Sequence, residues 1–285
     1  MVTTRALILQ LDRADPPGRL ADWLTDAGLA FDVCDISAGA AVPSNLSDYD
    51  ALVVLGGAMS ASDDGAHSFL ASVRELLRAA VRNEVPTLAI CLGAQLLALA
   101  HGGRIEPNPE GPELGAQLIA KRSAGATDPL FGPMPITPDV IQWHYDTISA
   151  LPAGAVHLAN SPMCENQAFR LGRLAWGLQF HFETTTDVVE AWARTDAQQL
   201  QDFDLDLILR RSAAIHGDLE EVWRPFVSSF ADLVRDPDSV AAAVGPATST
   251  AAPVTDPAAI RAALAAEANA SRASLPMPTM RRPGG

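Results

Sequence analysis

Along the first hundred positions, apolar residues fall into short unbroken runs separated by amphipathic stretches. "ALILQL" (Ala6–Leu11) reads as a buried strand. "GRLADWLTDAGL" then sets Leu20, Trp23, Leu24 and Ala27 at helical spacing, with Gly28 as a stop. "FDVCDI" alternates and predicts a second strand, burying Cys34. "DALVVLGG" predicts a third that ends in a glycine pair. Residues 66–83 read as a helix and "PTLAIC" as the next strand. Strands of this kind, alternating with helices, predict an α/β fold with an open, mostly parallel sheet covered on both faces.

After Gly103 the rhythm changes. "GGRIEP", "ELGAQLIAKR", "AVHLANS", "NQAFRLG" and "LAWGLQFHFE" are strand-like pieces joined by turn residues, which predicts an antiparallel section added to the parallel core. Residues 185–235 read as mainly helical, and the acidic "DFDLD" (Asp202–Asp206) as a solvated helix cap. From 236 to 257 Ala, Pro, Ser and Thr dominate. "DPAAIRAALAAEANASRASL" has the makings of one further helix, and "PMPTMRRPGG" reads as loose. The expected division is therefore a domain over 1–235 and an Ala/Pro-rich, partly disordered extension over 236–285.

Composition narrows the class. Of 285 residues 48% are hydrophobic and 19% charged, enough apolar material for a sizeable core. No apolar run approaches the ~20 residues of a bilayer span, and the N-terminus lacks the pattern of a secretory leader. The expectation is a soluble cytoplasmic protein without a membrane partner. A net charge of -14 argues against a nucleic-acid surface. The cysteines, Cys34, Cys91 and Cys164, are too scattered for a disulfide framework or a C-x-x-C metal site, so no metal is expected.

Cys91 stands where a predicted strand meets a predicted helix, in "AICLGAQLLALA". Sites in open parallel sheets lie at the carboxyl ends of strands. A sharp strand-to-helix turn exposes one side chain there and needs small neighbours, here Ala89 and Gly93, which is the logic of a nucleophile elbow with sulfur in place of oxygen. The other reading of the string is an inert buried cysteine. "WGLQFHFE" supplies what a nucleophile requires: His181 as base and Glu183 to orient it. The H-x-E string also opens the zinc-deaminase pattern, but no P-C-x-x-C follows it. Gly56 and Gly57 end the third strand at the same sheet edge, where backbone N–H groups can approach an oxyanion or simply form a turn. Trp143 reads as core, and Cys34 and Cys164 as inert.

Taken together, "LGGAMSASDD", "LAICLGAQLLALAHGG", "ELG", "QWHYD", "SPMCENQAF" and "GLQFHFE" resemble the class I (triad) glutamine amidotransferases, in particular the stand-alone branch that is similar to GMP synthase amidotransferases and includes γ-glutamyl peptidases. The resemblance covers residues 5–190. It implies a flavodoxin-like fold, no cofactor, and a catalytic triad of Cys91, His181 and Glu183. It also implies an oxyanion hole from the N–H groups of Gly57 and Leu92, and Gln95, His144 and Glu113 around the substrate. The implied substrate is glutamine or another γ-glutamyl compound. The chain has neither a phosphate-binding G-x-x-x-x-G-K-[ST] loop nor an S-G-G-x-D-S motif. An ammonia acceptor would therefore be a separate synthetase subunit. Plain γ-glutamyl hydrolysis by the same triad, and a non-catalytic binding role, remain the alternatives. Two positions depart from the family pattern: Ala89 stands where Gly is usual, and Phe182 where Pro usually stiffens the turn before Glu183.

Overall fold

The computed structural model describes residues 4–242. In chain order its elements are β1 (Arg5–Gln10), α1 (Arg19–Asp26), β2 (Ala30–Asp35), β3 (Ala51–Val54), α2 (Phe69–Arg82), β4 (Thr87–Ile90), α3 (Leu92–Ala100), β5 (Arg104–Pro107), β6 (Glu113–Leu118), β7 (Ala120–Lys121), β8 (Asp139–His144), β9 (Asp146–Ala150), β10 (Val156–Asn160), β11 (Ala168–Leu171), β12 (Ala175–Leu178), α4 (Thr186–Thr195) and α5 (Leu205–Arg235).

Eight strands form one sheet in the order β2-β1-β3-β4-β12-β11-β10-β7. The pairs from β2 to β12 are parallel, and those from β12 to β7 antiparallel. Two smaller antiparallel pairs, β5 with β9 and β6 with β8, complete the strands. The α/β fold with an added antiparallel section is thus the one expected. The seam between the two parts lies elsewhere, however. "LAWGL" belongs to the parallel part: β12 runs beside β4, with Leu178 opposite Ile90. The strand also stops at Leu178, three residues short of His181.

Both faces of the sheet are buried. On one side Ile8, Val53, Leu88 and Trp176 pack with Trp23 of α1 and with Trp223, Phe226 and Phe230 of α5. On the other, Leu7, Leu52, Val54 and Ala89 pack with Leu70, Val73 and Leu77 of α2 and with α3. β3, β4, β11 and β12 are buried throughout, which is why they read as unbroken apolar runs. β2 is the exception: at the sheet edge it is only half-buried, and Cys34 with it, contrary to the core position its pattern suggested. The acidic stretch behaves as a cap, since Asp204 accepts a hydrogen bond from the Leu207 N–H at 2.9 Å at the start of α5. Among the described residues no helix is long and apolar enough to cross a membrane. The helix expected over "DPAAIRAALAAEANASRASL" lies outside them.

Candidate active site

β4 delivers Cys91 to the carboxyl edge of the sheet. The backbone turns there in one residue: Cys91 has φ 51°, ψ -110°, and α3 begins at Leu92. A positive φ is costly for any residue with a Cβ, and such strain persists where the surroundings over-determine it. Here the Cys91 N–H is tied to the Leu178 carbonyl at 2.7 Å, while its own carbonyl accepts from the Gln95 N–H at 3.0 Å. Gly93 must be small because a Cβ would collide with the Val54 carbonyl. The first-turn N–H groups of α3 have no partner within the helix, and the helix dipole favours negative charge at this end.

β12 brings the second component. Beyond Leu178 the chain continues through Gln179 and Phe180 to His181. The backbone of His181 is pinned to β8 by two hydrogen bonds with Ile141, of 2.8 and 2.9 Å. His181 Nδ1 lies 2.6 Å from Glu183 Oε1. Nδ1 therefore carries the hydrogen, which leaves Nε2 for the Cys91 thiol. Burial disfavours a charged His181, but the Glu183 carboxylate and the charge and hydrogen bond of Cys91 outweigh it and raise its pKa well above the ordinary value. Glu183 is held in turn: Oε2 accepts the Phe182 N–H at 2.9 Å, and its carbonyl accepts the Arg19 N–H at 2.8 Å. Gly18 lets α1 approach that carbonyl, with φ 51° and no space for a Cβ. Phe182, standing where the family's Pro stiffens the turn, does not leave Glu183 loose. The benzene ring is fully buried, stacked on Trp223 at 4.9 Å, and its N–H grips the carboxylate.

Around Cys91 lies a cavity of about 470 Å³. Gly57 and Gln95 line it, and Leu92 lies against Gly57, where an added Cβ would come within 3.0 Å of Leu92 Cδ2. Gln95 Nε2 donates to Gln179 Oε1 at 3.2 Å, and Gln179 Nε2 approaches the Cys91 sulfur at 3.8 Å. His144 reaches the cavity wall, whereas Glu113 does not. Its carboxylate is fully buried behind His144 and accepts from Ser161 and Gln167, each at 2.6 Å.

Several wall residues escaped the sequence reading. Trp192 covers the imidazole, its ring 4.7 Å from His181, and is fixed by donating to the Ala14 carbonyl at 2.9 Å. Asp196 accepts from Trp143 at 2.9 Å and from Tyr145 at 3.1 Å. Asp15 is buried beside Gly56 and His181, and burial pushes its carboxyl up to about 7. Gln179 sat inside a motif already singled out. The others carry no local signal, because they reach the cavity from the β1–α1 loop and from α4.

The arrangement is that of an α/β protein with a cysteine at a strained strand-to-helix turn and a carboxylate-bound imidazole set against it. The class-I glutamine amidotransferase model matches residues 19–191, and the chain belongs to that family. It is 31% identical over 188 residues to the glutamine amidotransferase-like protein YfeJ of Salmonella typhimurium, covering 65% of this chain and 78% of the relative. It is also 31% identical to the glutamine-hydrolysing GMP synthase of Christiangramia forsetii, over 59% of this chain but only 30% of that larger protein. The crystal structure of a glutamine amidotransferase from Thermotoga maritima superposes with a TM-score of 0.72 at 27% identity, covering 83% of this chain and 100% of that one. One from Methylobacillus flagellatus also gives 0.72 at 27% identity, covering 82% and 96%.

Proposed function

We propose that the protein hydrolyses the side-chain amide of glutamine through a γ-glutamyl thioester on Cys91 and passes the ammonia to a separate synthetase. The observation that carries this reading is the buried His181–Glu183 pair, 2.6 Å apart, set against a cysteine that ends a strand at positive φ. The thiolate attacks the amide carbon, and the oxyanion that forms is met by the N–H groups of Leu92 and Gly57. His181, as imidazolium, gives its proton to the departing nitrogen. The C–N bond breaks and ammonia leaves. Neutral His181 then takes a proton from water, which attacks the thioester. Collapse expels the Cys91 thiolate and glutamate. Glu183 keeps the imidazole in the tautomer that points Nε2 at sulfur. A partner acceptor is supported by relatives named as one subunit of a glutamine-hydrolysing GMP synthase. That of Methanosarcina acetivorans is 35% identical over 107 residues, 36% of this chain and 52% of that one.

A second reading, hydrolysis of γ-glutamyl amides or peptides by the same triad, is favoured by one feature. The cavity is in the range of sites for ligands larger than glutamine. Its outer wall of Trp143, Tyr145, Trp192 and Asp196 offers contacts to a leaving group beyond ammonia.

The test is a panel of glutamine, γ-glutamyl amides and γ-glutamyl peptides, assayed for glutamate and released amine with and without cell extract. Glutamine turnover that Cys91→Ala abolishes and extract stimulates supports transfer. A preference for larger leaving groups, unaffected by extract, selects plain hydrolysis. Inactivity on every member, with and without extract, would sink both.

A further inference from the structure

We propose that Glu113, His144 and Cys164 form a divalent-metal site suited to zinc, behind the wall of the active-site cavity. Three separate segments converge there: β6 contributes Glu113, β8 His144, and the β10–β11 loop Cys164. One ligand atom from each lies within 4.8 Å of the other two, and all three residues are buried. A tetrahedral zinc ion places its ligand atoms roughly 3–4 Å apart, given bonds of about 2.0–2.3 Å. Slight contraction of the cluster meets that requirement.

The protonation pattern around His144 points to a cation. Nδ1 lies 2.8 Å from the Asp146 carbonyl, which can only accept, so Nδ1 carries the hydrogen. In the neutral ring Nε2 is then a lone pair. It lies 3.1 Å from Glu113 Oε2, yet its direction makes no hydrogen bond, and it stays without a partner at a fully buried position. Glu113 is already an acceptor on both oxygens, from Ser161 Oγ and Gln167 Nε2, each at 2.6 Å. Two acceptors thus face each other with no proton between them that the geometry uses. A cation shared by both resolves this.

The surroundings are those of an outer shell. Metal-bound histidines commonly donate their other N–H to a backbone carbonyl, and bound carboxylates are themselves hydrogen-bonded. Thr147 Oγ1 sits 2.9 Å from the Cys164 sulfur, and the Gln167 carboxamide oxygen, beside the cluster, has no partner. Thiolate with imidazole selects zinc over calcium or magnesium. Thiolate and carboxylate together balance a divalent charge, so the loaded site is neutral in a buried setting. Binding as thiolate, Cys164 gives up its proton to solvent on loading. The site does not depend on the reaction proposed above.

The test uses the full chain carrying Cys34→Ser and Cys91→Ala, in which Cys164 is the sole thiol. After incubation with zinc and desalting, about one equivalent should remain per chain. Cobalt(II) should give a near-ultraviolet thiolate-to-cobalt band with the intense visible absorption of tetrahedral coordination. A further Cys164→Ala change should remove both. Should that variant fail to fold, the cobalt spectrum of the parent decides by itself. No retained zinc and no thiolate-to-cobalt band would overturn the proposal.

Discussion

Phe182 donates its backbone N–H to Glu183 Oε2 at 2.9 Å, while the other oxygen of the same carboxylate lies 2.6 Å from His181 Nδ1. The residue between the two thus clamps them by its backbone, and its ring anchors the clamp between Trp23 and Trp223. Proline at 182 would remove both the donor and the ring. Phe182→Pro should destabilise the fold by at least ~3 kcal/mol, as for a deleted buried aromatic, and lower turnover. Urea unfolding and steady-state kinetics would check this. A variant as stable as the parent and more active would show that the turn is loose after all.

Cys91 should be the most reactive thiol. Burial raises the pKa of both Cys34 and Cys164, whereas Cys91 faces an imidazole favoured in its charged form. Brief iodoacetamide treatment at neutral pH should label Cys91 at least ~10-fold faster than the other two by mass spectrometry. Equal labelling would count against a nucleophilic Cys91.

Glu183→Gln should lower the pKa of His181. In the parent, burial opposes the imidazolium, and Glu183 and Cys91 overcome it. Without the carboxylate, burial gains the upper hand. The raised folded value means that the pair's contribution to stability is complete below the ordinary histidine value near 6.5. It fades as pH rises through the folded value. NMR titration of the His181 ring should show the shift, and the parent's extra stability over Glu183→Gln should shrink at high pH. An unchanged titration would refute the pairing.

Asp15→Asn should stabilise the protein at alkaline pH. Burial holds the folded carboxyl at about 7, against an ordinary 3.8. Between those values the folded chain binds the proton and the unfolded chain does not. Parent stability therefore falls as pH rises across this window and levels off above it. The full displacement corresponds to roughly 4 kcal/mol as an upper bound. Denaturation of both proteins at pH 5 and pH 8 should show Asp15→Asn gaining relative to the parent at pH 8. A constant difference would place Asp15 in a wetter setting.

Gly56→Ala should impair the chemistry more than the fold. The added methyl would lie 2.6 Å from Asp15 Oδ1 and 3.0 Å from His181 Cε1, so the imidazole must move. A displacement of even a fraction of an ångström at a reacting group can reduce turnover on the order of 10–100-fold. Kinetics together with a melting curve would separate the two effects. Full activity would mean that Asp15 alone yields.

The chain's own pattern determined much of this protein. Short apolar runs alternating with amphipathic helices can be buried in few ways other than a two-sided parallel sheet. The cysteine at a strand-to-helix junction and the H-x-E string were legible because each depends on local geometry within a few residues. The positions of Cys34 and of β12 were not legible. A four-residue buried strand looks the same whichever neighbours it pairs with, and edge or centre is decided only when the sheet assembles. Asp15 comes beside His181 from far away in sequence on the β1–α1 loop, and Trp192 and Asp196 reach the cavity from α4 and its C-terminal end through packing on the sheet edge. The facing of Glu113, His144 and Cys164 has the same origin. No spacing encodes it, because Glu113 and His144 meet through the antiparallel β6–β8 pairing and Cys164 reaches them from the β10–β11 loop of the larger sheet.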